Sequence, residues 1–71
     1  MKYEIWVEYR GESSHLHQHR LYEVGRFWTK KGALNFVQGR QAFYDGLAEI
    51  RGKEQSDMLM YVCDCKGNRY T

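Results

Sequence analysis

The chain has 71 residues, eleven of them Lys or Arg and nine Asp or Glu, with 42% hydrophobic and 15% aromatic content. One domain of this size buries only about 60% of its chain surface, yet the aromatic content is enough to fold and argues against disorder. The small net charge of +2, with both signs interleaved, excludes a protein that grips duplex nucleic acid mainly through phosphates.

No apolar run approaches the ~20 residues needed to cross a bilayer, so no membrane association is expected. Residues Met1 to Arg10 alternate in polarity instead of forming a secretion leader. Two cysteines, Cys63 and Cys65, are too few and too close for a secreted disulfide scaffold. A soluble cytoplasmic protein is the expectation, and a homodimer would add burial to so small a core.

In chain order, Tyr3, Ile5, Val7 and Tyr9 alternate with charged residues, the pattern of a strand with one buried face. Trp6 falls with the charged set, either lying over neighbouring side-chain stems or offering a contact on the open face. Gly11 to Ser14 carry turn chemistry. A second strand over 15–28 then pairs antiparallel with the first, and Gly25 marks a bulge that shifts its parity.

Thr29 is placed to cap a helix. Ala33, Phe36, Val37, Phe43, Tyr44, Leu47 and Ile50 recur at helical spacing and predict its buried stripe. Gly46 after Asp45 offers an early C-cap, but the stripe favours helix to about Arg51. Lys30 and Lys31 stand at the end where the helix dipole prefers negative charge, which leaves them open to another use. A strand over 57–63, apolar on both parities, is expected at the centre of the sheet. Lys66 to Asn68 then turn the chain into a short final strand. The sum is an α+β fold, β-β-α-β with a short C-terminal β tail: an antiparallel β-sheet with one helix on one face.

Chemistry-bearing residues are sparse. His15, His17 and His19 could meet Cys63 and Cys65 around zinc if the second and last long strands were neighbours. Against this, a single intervening residue on a flat strand splays two cysteines, so ordinary strand residues are the stronger reading and neither metal nor cofactor is expected. Asp64 between the cysteines would raise rather than lower a thiol pKa. No hydrolase or phosphate-binding motif is present, and no enzyme is expected.

Two binding readings remain. Arg26, Trp28, Lys30 and Lys31 gather where the second strand enters the helix, a basic and aromatic group suited to a nucleic-acid backbone and a stacked base. Alternatively the wealth of Trp, Tyr and Arg suits a protein interface, with Trp6 and Arg40 as further contacts. Arg40 falls inside the helical stripe, where a charge either reaches past the core edge or meets a partner. A protein partner is the first expectation and nucleic acid the second.

The Met1-Lys2 start into a strand, the junction Phe27-Trp28-Thr29-Lys30-Lys31-Gly32-Ala33 and the closing Asp64-Cys65-Lys66-Gly67-Asn68-Arg69 resemble the very small α+β accessory proteins of bacteriophages and prophages. Many of those, anti-CRISPR proteins among them, bind and block a host or defence component without catalysis. The resemblance implies a protein-binding inhibitor, and no contact residue follows from it.

Overall fold

A computed structural model describes residues 2–11, 17–53 and 56–71. Strand β1, Tyr3–Tyr9, is paired on both edges. On one side it meets the short strands β2 (His19–Arg20) and β3 (Arg26–Phe27); on the other it meets β4, Met58–Cys63. Strand β5, Arg69–Tyr70, extends the sheet beyond β4. All pairs are antiparallel, and helix α1, Lys30–Ile50, covers one face. The expected α+β architecture stands, with β4 central.

The alternation read in β1 explains which face is covered. Ile5 and Val7 are fully buried with Val62 and Met60 against Ala33 and Val37 of the helix, and Tyr3 and Tyr9 pack at the rim. Full burial of each large aliphatic side chain stabilises by about 1.5–3 kcal/mol, so these few residues carry much of the fold.

The second strand departs from expectation. Over 17–28 two strands of two residues each hold the ladder, separated by a 3₁₀ turn at Tyr22–Val24. Trp6 opposes Arg20 while Glu4 opposes Arg26, so residues 22–25 are looped out between them. Gly25, at φ 80° and ψ −156°, returns the chain to the sheet through backbone space that only glycine enters readily. The bulge signal at Gly25 pointed to the right place, but the interruption is a whole turn.

Both helix ends are capped. Thr29 is extended, and its Oγ1 accepts from the Gly32 N–H at 3.1 Å. At the other end Gly52 takes φ 81°, its N–H donates to the Glu49 carbonyl and the Lys53 N–H to that of Ala48. That double closure after Ile50 makes Gly52 the terminating glycine, so Gly46 lies inside the helix.

The predicted helical stripe needs correction. Ala33, Val37 and Ala48 are buried, with Leu34, Phe36 and Tyr44 against the core. Phe43 and Ile50 are instead 60% and 84% exposed, and Leu47 is also exposed. The seven positions read as one stripe span too wide an arc for a single sheet to cover, so its outer part faces away. Arg40 is exposed as well, its guanidinium 5.0 Å from the Phe36 ring centroid.

Candidate interaction surface

The face of the sheet away from α1 is built by cross-strand pairing. Glu4, Trp6 and Glu8 alternate with the buried residues of β1, and so share the opposite side. Opposite Trp6 stand Arg20 on one edge and Tyr61 on the other; opposite Glu4 stand Arg26 and Cys63, and Cys63 in turn opposes Arg69. The result is a layer of arginines, aromatics and carboxylates.

Glu4 gathers one half of that layer. Its Oε2 lies 3.2 Å from both Arg20 Nη1 and Arg26 Nε, and its Oε1 accepts from Trp6 Nε1 at 3.3 Å. Arg20 also sits 4.5 Å from the Tyr22 ring centroid, and its buried Nε has no hydrogen-bond partner among the described residues. Trp6 is half-buried, its indole N–H held by Glu4.

Arg69 organises the other half. Its guanidinium lies 3.8 Å from the Tyr61 ring centroid and pairs with Glu8 beyond. The hydrogen bond to Glu8 holds the guanidinium pKa up, above its already high ordinary value. Burial raises the pKa of the Tyr61 hydroxyl, with the Cys63 thiol adding to it against Arg69. Burial also raises the Cys63 thiol, and Glu4 and Asp64 push the same way while Arg69 opposes them. A thiol so placed is a poor nucleophile at neutral pH.

Trp28 continues the row one step past the Glu4–Arg26 pair. It is 74% exposed, with the Lys2 ammonium 5.1 Å from its ring centroid. Its backbone is fixed on both sides, since Phe27 before it is paired with Tyr3 and Thr29 after it caps the helix. A groove lined by Lys2, Glu4, Trp6, Arg26, Cys63 and Cys65 runs beside it. Lys30 lies past the junction, its ammonium 4.0 Å from the Tyr70 ring centroid, and Lys31 is exposed on the first helical turn.

Of the candidate contacts, Trp6, Arg26 and Trp28 thus share one face, with Lys30 and Lys31 on the helix start that follows. Arg40 does not join them, because it projects from the outer side of α1 beside Phe36. Sequence reasoning missed Lys2, Tyr61 and Arg69 on the open face. The parity of β1 and β4 could have placed Tyr61 there opposite Trp6, but the register that brings Arg69 across could not be read.

The histidines and cysteines are not brought together. β1 lies between β2 and β4, so the strand adjacency a zinc site required does not occur. His19 is instead occupied with Tyr9, its Nε2 3.1 Å from the tyrosine hydroxyl. His17 is exposed, Cys65 lies in the β4–β5 connection, and His15 falls outside the described residues. Among the described residues no three metal-ligating side chains converge. No described helix is long and apolar enough to cross a membrane.

Asp64 has a structural role. Its carboxylate accepts from the backbone N–H groups of Lys66 and Asn68, the Asn68 side-chain amide and the Tyr70 hydroxyl, at 2.9–3.2 Å. Burial alone would raise its pKa, but these hydrogen bonds, led by the Asn68 N–H, bring it below the ordinary aspartate value. With Gly67 at φ 84°, they fix the turn that carries Arg69 back over Tyr61.

Compared with known proteins, the chain matches no family model, no curated protein and no solved structure.

Proposed function

We propose that this chain is a non-catalytic binding protein that recognises another protein through the open sheet face around Trp28. One observation carries the reading: a tryptophan 74% exposed, fixed between a strand pair and a helix cap, beside a groove with Trp6 and Arg26. Tryptophan and arginine supply large contact area and directed hydrogen bonds, and they dominate binding hot spots. A backbone already fixed on both sides also loses little freedom on docking. The resemblance of the layout to phage accessory proteins suggests a host or defence protein as the partner, blocked by being bound.

A second reading keeps the same place and changes the partner. Lys2 lies over Trp28, and Arg26, Lys30 and Lys31 are its neighbours along the chain, so a nucleic-acid strand could stack a base there while its phosphates meet the cations. Glu4 and Tyr70 already engage Arg26 and Lys30, which favours protein.

The test is capture of partners on the immobilised chain, with and without nuclease, using wild type, Trp28→Ala and Lys31→Ala. A defined protein that survives nuclease and is lost with Trp28→Ala supports the first reading. Retention that vanishes with nuclease and falls steeply with salt replaces it with the second.

A further inference from the structure

The outer side of α1 is patterned for one particular occupant. Phe36, Phe43 and Ile50 are spaced seven apart, and so are Gly32, Gly39 and Gly46. Seven residues make nearly two turns, so each set runs as a line along the helix, and offsets of three and four make the lines neighbours. One line is large and apolar, with Phe43 and Ile50 mostly exposed and Phe36 half-buried at the core's rim. The other is small. Gly32 has a reason within the chain, because a Cβ there would lie 3.0 Å from the capping Thr29 Oγ1. Gly39 and Gly46 have none: a Cβ at either would meet nothing within 4 Å, and glycine inside a helix is unfavourable.

We propose that a second copy of this chain docks on this side, the two α1 helices antiparallel about a two-fold axis level with Gln41. In that register Phe43 of each copy meets Gly39 of the other, and the exposed edge of the half-buried Phe36 lies level with Gly46. Each large residue is level with, and diagonally across from, a small one in both directions, the self-complementarity a two-fold interface requires. The glycines let the helices approach closely enough for the rings to fill the space above them.

Charge supplies the second argument. Lys31 and Glu49 are eighteen residues apart, five full turns, and so project from the same flank of α1. Two-fold antiparallel packing brings like flanks together at opposite ends, which sets Lys31 of each copy near Glu49 of the other, twice per dimer. Both are exposed, and neither has an ionic partner among the described residues. The pairing also gives Lys31 a role at a helix end whose dipole disfavours it. Arg40 flanks the stripe on the other side, drawn over its own Phe36.

Apart from Lys31, which stands at the helix start between them, this surface is separate from the one around Trp28, and it does not rest on that reading. Sedimentation of the full chain over a wide concentration range tests it. Wild type is expected to shift with concentration from the 8.5 kDa monomer to a dimer. Phe43→Glu should abolish that shift with the circular dichroism of the fold kept. Gly39→Ala should raise the melting temperature of the dilute monomer while weakening association at least tenfold. Lys31→Glu and Glu49→Lys should each weaken association severalfold, and the double variant should restore it.

A wild type that stays monomeric to its solubility limit overturns the proposal. So does association unchanged by Phe43→Glu or Gly39→Ala, and failure of the charge swap to restore pairing overturns the antiparallel register. Trp28→Ala should leave the dimer intact, so loss of partner capture and loss of dimer report on different surfaces.

Discussion

Gln41 serves the edge of β4 as a strand would. Its side-chain Oε1 accepts from the Met60 N–H at 2.8 Å, and its Nε2 donates to the Met58 carbonyl at 2.9 Å. β5 covers only Val62 and Cys63 of that edge, so a helix side chain completes what the sheet leaves open. The same amide reaches Asp45 Oδ1, which accepts from the Ser56 N–H and ties the approach to β4 onto the helix.

Gln41→Ala should therefore be more damaging than its polar character suggests. It leaves a part-buried backbone donor and acceptor unpaired, at about 1–3 kcal/mol for each group that water cannot reach. A loss of roughly 2 kcal/mol in urea unfolding is expected, with Gln41→Glu also destabilising because it lacks the donor. A loss under 0.5 kcal/mol for Gln41→Ala would mean that water replaces the amide freely.

The two thiols should differ in reactivity. Burial and neighbouring carboxylates raise the Cys63 pKa, so at neutral pH little of it is the reactive thiolate, whereas Cys65 is exposed. Timed alkylation followed by mass spectrometry should label Cys65 well before Cys63. Arg69→Ala removes a charge that favours the Cys63 thiolate but also uncovers the strand, so its effect on rate separates electrostatics from access.

Acid should loosen the C-terminal turn. The Asp64 pKa is lowered in the folded chain, so its contribution is present above the ordinary aspartate pKa and is lost as pH falls through the folded value. Asp64→Asn should reduce stability at pH 7 and flatten the dependence of melting temperature on pH in the acid range. Identical acid profiles for wild type and variant would rule this out.

Trp28→Ala should leave stability within about 0.5 kcal/mol of wild type, since the side chain is exposed and packs on little. Trp6→Ala should cost more, about 1–2 kcal/mol, because it is half-buried against Glu4, and the fold should still stand. If Trp6→Ala unfolds the chain instead, Trp6 belongs to the packing of the sheet and not to a contact surface.

Gly39→Ala should stabilise the isolated monomer by about 0.5–1 kcal/mol, as expected where a helical glycine gains a methyl that touches nothing. Thermal melts at low concentration read this directly, apart from any dimer.

What the sequence revealed followed from strict local periodicity. β1 announced itself by alternation, α1 by Thr29 and its helical spacing, and β4 by an apolar run long enough to lie at the centre. Residues 17–28 resisted reading because the ladder there is two residues long at each end, and no short-range signal fixes so brief a pairing. The exposure of Phe43 and Ile50 was hidden for another reason. Helical spacing says which residues share a side, but the sheet decides how wide an arc it covers. The open face was half legible: Trp6 gave it away, while the position of Arg69 depends on a turn built by Asp64.

The looped-out turn at Tyr22–Gly25 has a consequence for the molecule among its copies. A sheet edge invites a foreign strand when it offers an unbroken row of amides and carbonyls, and the outer edge here is divided into two rungs on either side of a 3₁₀ turn. Among the described residues of that edge an incoming strand finds no run long enough to zip along. A chain this small and this aromatic gains from that break a defence against ordered aggregation, written into its backbone rather than its charge.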